Sequence, residues 1–122
     1  MLIGELAEQV GVSPRSLRHY EKAGLLSPER DGSGYRRYDE RAAVRAANIR
    51  DLLDVGLTLD GIRGYAADGC LDAPLDEGPR CAAELDTAHH RLAAVEERLA
   101  RLQRVRDRLA RHTAEVARSV AP

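Results

Sequence analysis

Phenylalanine and tryptophan are absent from these 122 residues, and tyrosine occurs four times. The core must therefore be assembled from Leu, Ile, Val and Ala around a few phenol rings, and it will be small. Two cysteines, Cys70 and Cys81, are too few for a disulfide framework. They read as plain thiols in a reducing compartment, with a Cys70–Cys81 redox pair as the open alternative. Lysine is nearly missing: Lys22 stands alone among 19 basic residues, which face 20 acidic ones for a formal net charge of -1. That balance excludes an affinity for nucleic acid or membrane driven by the field of the whole chain. No apolar run approaches the ~18–20 residues of a membrane span, and Glu5 and Glu8 in the first turns exclude a signal peptide, so a cytoplasmic protein is expected. A Gly-rich phosphate loop, a nucleophile–base arrangement and a metal triad are all missing, and the length leaves little room for a substrate cleft. No enzyme is expected.

Charge is distributed unevenly along the chain. Residues 11–45 hold eight basic against five acidic residues, residues 46–90 three against nine, and residues 91–122 eight against four. Basic density thus lies at two ends of an acidic middle. In the first basic stretch, Ile3, Leu6, Ala7 and Val10 follow the spacing of a helical face, and Gly11 stops the run. Ser13-Pro14 starts a second helix reaching about Ala23, with the Ser13 hydroxyl as cap and Pro14 where a missing N–H costs nothing. Leu17 and Tyr20 share one face of it, and Arg15, Arg18 and Lys22 another. Two short helices joined by about three residues, the second basic, make a helix-turn-helix.

Beyond Ser27-Pro28, Glu29-Arg30 and Tyr35-Arg36-Arg37-Tyr38 flank the turn formers Asp31-Gly32-Ser33-Gly34, the pattern of a small β-hairpin. Asp39 caps a third helix with Ala42, Ala46, Ile49, Leu52 and Leu53 on one side, which Gly56 ends. Thr58 caps a fourth, carrying Leu59, Ile62, Tyr65 and Ala66; Gly61 and Gly64 each cost it about 1 kcal/mol relative to Ala, so it depends on packing. Residues 69–80 read as an acidic linker with two prolines. From Cys81 to about Ser119 a seven-residue repeat places Leu85, Leu92 and Leu99 in one register, with Ala88, Val95, Leu102, Leu109 and Val116 in the other, the seam of a coiled coil. The first register fails at Arg106 and Thr113, so the seam is strongest from Leu85 to Leu109. A stripe of two positions cannot be buried by the small N-terminal part along about 58 Å of helix, so a second copy of the chain is the simplest partner.

The run Ser13-Pro14-Arg15-Ser16-Leu17-Arg18-His19-Tyr20-Glu21, followed by Gly34-Tyr35-Arg36-Arg37-Tyr38, resembles the MerR family of bacterial transcription regulators. The resemblance covers residues 1–68 by motif and 81–119 by architecture, including the Gly-x-Thr-Leu start of the fourth helix. His19 departs from it, since the family usually has Tyr or Phe there. A second departure is that the chain ends at the coiled coil, with no ligand-binding domain. The resemblance implies a mainly α fold: a winged helix-turn-helix head over residues 1–68, a linker at 69–80 and a dimerisation helix at 81–119 forming an antiparallel coiled coil. It also implies a homodimer sitting between two promoter elements with an unusually long spacer, bending and untwisting the DNA so that RNA polymerase engages both.

The chemistry of the residues points the same way. Arg15, Arg18 and Lys22 on one helix fit a major groove, where Arg pairs bidentately with guanine, and Ser13, Ser16 and His19 lie beside them to meet bases or phosphates. Arg36 and Arg37 with Tyr20, Tyr35 and Tyr38 supply phosphate contacts, although core filling competes for Tyr20 and Tyr38 in a chain without Phe or Trp. Thr58 presents helix-four N–H groups to a phosphate, opposed in part by Asp60. Leu85, Leu92, Val95, Leu99, Leu102 and Leu109 are the dimerisation residues. Two heads about 60 Å apart along an antiparallel coil would span nearly two turns of B-DNA, so a palindromic promoter site is expected. Cys81 with Cys70, or with His89, His90 or His112 from a second copy of the chain, would give a soft-metal site, but a small helical Cys and a solvated His pair account for these residues without one, so no metal or other cofactor is expected. The competing function is a coiled-coil protein-interaction or architectural module without transcriptional activation.

Overall fold

The computed structural model describes residues 1–30, 32–67 and 69–121, with only the backbone of Arg36. Asp31 in the expected turn and Asp68 at the end of the expected head lie outside these. The elements run α1 Ile3–Val10, α2 Pro14–Lys22, β1 Glu29–Arg30, β2 Arg36–Arg37, α3 Glu40–Val55, α4 Leu59–Ala66 and α5 Ala82–Ser119. Local chemistry sets most boundaries. The Glu5 carboxylate accepts from Leu2 N–H at 2.9 Å, and α1 ends on Gly11 at φ 81, a left-handed turn that suits a residue without Cβ. Ser13 caps α2 by accepting from Ser16 N–H at 3.0 Å, Asp39 caps α3 through Ala42 N–H at 2.8 Å, and Thr58 caps α4 through Gly61 N–H at 3.1 Å. The antiparallel β1–β2 ribbon pairs Glu29 with Arg37 and Arg30 with Arg36.

Residues Met1–Ala88 form one compact unit. Its core takes Leu6, Ala7 and Val10 from α1, Leu17 and Tyr20 from α2, Ala46, Ile49 and Leu52 from α3, and Ile62, Tyr65 and Ala66 from α4. Leu25, Leu26, Tyr38 and Leu71 close it. The segment after α4 packs onto this core. Leu71 is fully buried, and the buried Asn48 amide donates to the carbonyls of Leu71 and Ala73 at 2.8 and 2.9 Å. Arg41 and Arg45 each pair with Asp72 at 2.6 Å. The hydrogen bond from Arg41, supported by Arg45, holds the Asp72 carboxyl below the usual carboxylate range against a desolvation that works the other way.

The reading of Cys70 and Cys81 as plain thiols is corrected here: the two are joined in a disulfide, with Cα atoms 6.0 Å apart. The anchors at Asn48 and Asp72 fold the intervening chain back on itself, so the residue before α5 returns to within bridging distance of the residue after α4. That return depends on side chains of α3, far from either cysteine in sequence.

The second unit, His89–Pro122, carries the rest of α5. Leu92, Leu99, Leu102, Leu109 and Val116 are exposed along it, Leu99 at 60%. No residue of α5 is buried.

Two glycines of α4 differ in what surrounds them. A Cβ at Gly61 would stand 3.1 Å from Thr87 Cγ2 and 3.3 Å from the capping Thr58 hydroxyl oxygen, whereas one at Gly64 meets nothing within 4 Å. Gly64→Ala is therefore expected to stabilise the fold by about 0.5–1 kcal/mol through helix propensity. Gly61→Ala should gain none of this, because α4 approaches Thr87 only where no side chain intervenes. Urea midpoints of the two variants check this; equal gains would contradict it.

Tyr65 is buried with no hydrogen-bond partner for its hydroxyl among the described residues. Burial, aided by Glu84 and opposed by Arg80, pushes its phenol up to about 12. The folded-state value lies above that of the unfolded chain, so the associated stability is complete below pH ~10 and is lost as the pH climbs through about 12. Tyr65→Phe is expected to match the parent or exceed it by up to about 1 kcal/mol at pH 7 and to lose less at alkaline pH. A clear loss at pH 7 in chemical denaturation would show that the hydroxyl has a partner.

Candidate nucleic-acid interface

The second helix of the helix-turn-helix is built to present its polar face. Leu17 and Tyr20 bury the other side, so Arg15, Arg18, His19 and Lys22 project into solvent on turns fixed by the Ser13 cap and Pro14. Ser13 is exposed and Ser16 half-buried, their hydroxyls bonded to each other at 3.1 Å. The ribbon stands nearby in sequence with Tyr35 65% exposed and Arg37 exposed. Arg30, also exposed on β1, donates to Gly34 O at 2.9 Å across the turn. Arg36 lies on β2, its side chain outside the described atoms. Thr58 is exposed at the start of α4, where Asp60 pairs with Arg63 at 3.0 Å.

The structure separates the tyrosines. Tyr20 and Tyr38 are 4% and 3% exposed, so both rings are core. Burial, then Asp54, raises the Tyr20 phenol, with Arg50 opposing. The Tyr38 hydroxyl donates to the Glu21 carboxylate, tying the end of the ribbon to α2. The backbone of Tyr38 is held as well, its N–H donating to Met1 O and its carbonyl accepting from the Met1 ammonium, both at 2.7 Å.

Sequence reasoning missed the arginines that brace this surface from behind. Arg45 Nε donates to Leu25 O at 3.0 Å, just past α2. The Arg50 guanidinium donates to Val10 O at the end of α1, where a cation also complements the helix dipole. Arg41, Arg45 and Asn48 recur at i, i+4 and i+7, a polar stripe on a helix otherwise taken as a core element, and that spacing was the available signal. Among the described residues, no group of His, Cys, Asp or Glu is placed to hold a metal ion, and no helix is long and apolar enough to cross a membrane.

A helix-turn-helix with an exposed basic second helix, a two-stranded wing and a long apolar-striped helix defines a DNA-binding regulator fold. Residues 1–68 match the MerR HTH family regulatory protein model, and residues 43–112 match the MerR DNA-binding model. The mercuric resistance operon regulatory protein of Shigella flexneri is 31% identical over 106 residues, covering 86% of this chain and 69% of that protein. The nodulation protein NolA of Bradyrhizobium elkanii is 38% identical over 108 residues, covering 88% of this chain and 44% of its own length. The chain thus spans less than half the length of the NolA relatives it matches. HiNmlR, a MerR family regulator lacking the sensor domain and solved bound to promoter DNA, superposes with a TM-score of 0.57 at 25% identity, covering 88% of this chain and 78% of that one. This chain belongs to the MerR family of transcriptional regulators.

Proposed function

We propose that this chain is a cytoplasmic, sequence-specific transcriptional regulator that acts as a homodimer on a palindromic promoter site and distorts the promoter spacer so that RNA polymerase engages both elements. The observation that carries this is the exposed basic face of α2, Arg15, Arg18, His19 and Lys22, fixed at its start by the Ser13 cap. Arg15 and Arg18 read base edges, with Lys22, Ser13, Ser16 and His19 beside them. Tyr35, Arg36 and Arg37 of the wing and Thr58 at the start of α4 take phosphates, which orient the head without selecting sequence. Tyr20 and Tyr38, both buried, serve by holding α2 and the wing in register rather than by touching DNA. Residues 1–68 act as the DNA-binding head, 69–80 as the connection, and 81–119 as the dimerisation helix. Leu85, Leu92, Val95, Leu99, Leu102 and Leu109 form the seam of an antiparallel pair. The 38-residue helix, at ~1.5 Å per residue, separates the two heads by about 57 Å, close to two turns of B-DNA.

Salt dependence tests the reading. Retention of a mixed-sequence duplex should fall steeply between low and moderate salt as counterions are released, and removing Lys22 should lower the log–log slope by about one. A protein-interaction module held by apolar helix packing would show almost no such fall, and that result would set the reading aside.

A further inference from the structure

We propose that Cys70 and Cys81 form a reversible thiol–disulfide switch, exchanging with low-molecular-weight thiols and disulfides, which governs how firmly the loop between them braces the recognition helix. The proposal rests on the DNA-binding reading above, because a regulator working beside the chromosome meets a thiol pool in which disulfides are transient or sensing rather than structural. Three features of the fold support it.

The first is access. Both cysteines are only half-buried and face a cavity of about 110 Å³ that they share with Pro74, Glu77, Arg80 and Glu84. The bridge therefore borders a cavity rather than lying inside the core. The second is reactivity. Cys81 immediately precedes α5, and its carbonyl accepts from Glu84 N–H at 3.1 Å, which places the residue at the N-terminus of a 38-residue helix. The positive end of the helix favours a thiolate there, and Arg80 offsets the charge of Glu84 by pairing with it through two hydrogen bonds. Cys81 is thus the attacking thiolate and Cys70 the resolving thiol.

The third is coupling. The bridged loop carries Asp72, which binds Arg45 Nη1 at 2.6 Å, while Nε of the same guanidinium donates to Leu25 O at 3.0 Å, just beyond α2. Arg45 is therefore shared between the redox loop and the segment that ends the recognition helix. Opening the bridge removes the covalent tie between the two ends of the loop and widens the motion of Asp72, so the grip of Arg45 is divided among more conformations.

In the oxidising direction the Cys81 thiolate attacks one sulfur of a small disulfide RSSR, breaking the RS–SR bond and releasing RS⁻. The Cys70 thiolate then attacks the Cys81 sulfur of the mixed disulfide, forming the protein bridge and releasing a second RS⁻. The two thiol protons end on two RSH; the protein loses two electrons and RSSR gains them.

The test equilibrates the full chain in glutathione buffers from fully reduced to fully oxidised. Alkylation by iodoacetamide, counted by mass, reports the bridge; hydrogen exchange of the Asp72 and Glu77 amides reports the loop; retention of duplex DNA reports the head. One two-electron transition is expected, with loop exchange at least tenfold faster and DNA retention at least threefold weaker in the reduced form. The Cys70→Ser/Cys81→Ser double variant should behave as reduced at every ratio, and Asp72→Asn, in which the Asn48 amide still holds the carbonyls of Leu71 and Ala73, should keep a thiol transition while losing the response in DNA retention. Cysteines that never pair, or a bridge that forms with equal loop exchange and equal DNA retention in both states, would overturn the switch while leaving DNA binding intact. A loop transition with no DNA retention in either state would instead remove the DNA-binding reading and, with it, the regulatory role of the bridge.

Discussion

Replacing Arg15 and Arg18 together with alanine is expected to weaken retention of the cognate DNA by about thirtyfold or more, with thermal stability unchanged. Each bidentate Arg–guanine pair contributes roughly 1–3 kcal/mol of discrimination, so two of them together span from about thirtyfold to beyond ten-thousandfold. The fold should not notice the change. Both side chains are exposed on the outer face of α2, and neither has an ion pair among the described residues, while alanine is a better helix former than arginine. Affinity for the cognate site and for an unrelated duplex, measured at one salt concentration, separates base reading from phosphate contact. Loss confined to the cognate site marks base reading, equal loss on both marks phosphate contact alone, and undiminished binding to both would remove α2 from the interface.

The second large effect concerns the long helix. Leu92→Glu with Leu99→Glu is expected to convert the proposed dimer to monomer, weakening association by at least four orders of magnitude. Leu92 and Leu99 are 55% and 60% exposed on the single chain, yet they recur seven residues apart, as a seam requires. Burying one leucine stabilises by about 1.5–3 kcal/mol, and the double substitution removes four of them from a dimer and adds charge to the seam. Sedimentation equilibrium measures the change. DNA retention should fall with it, because a single head engages one half-site. A parent protein that sediments as a monomer, or a variant that still sediments as a dimer, would place the partner of α5 elsewhere.

How far the sequence spoke depended on the range of the interaction. The starts of α2, α3 and α4 were legible at Ser13, Asp39 and Thr58 because a cap is a contact between a side chain and a backbone N–H three residues away. Gly11 and Gly56 marked ends for the same local reason. The basic face of α2 was legible because apolar and charged residues alternate there at helical spacing. The cysteine bridge was legible only as the less favoured alternative to two thiols, because it depends on Asn48 and Arg45 reaching across to a loop that composition alone described as a linker. Tyr20 and Tyr38 fell between the two cases: a chain without Phe or Trp must use tyrosine rings as core, but the same residues beside basic side chains also read as phosphate donors. Only burial separated those roles, and it left Tyr35 as the tyrosine of the wing that faces solvent.

Retention of fragmented DNA from the source of this protein, at moderate salt and followed by sequencing of what is kept, is the most direct test of a dimeric regulator reading a promoter. The expected result is an enriched inverted repeat inside a promoter spacer, with half-site centres close to two helical turns apart. Recovery of no sequence above background would contradict specific DNA recognition by this chain.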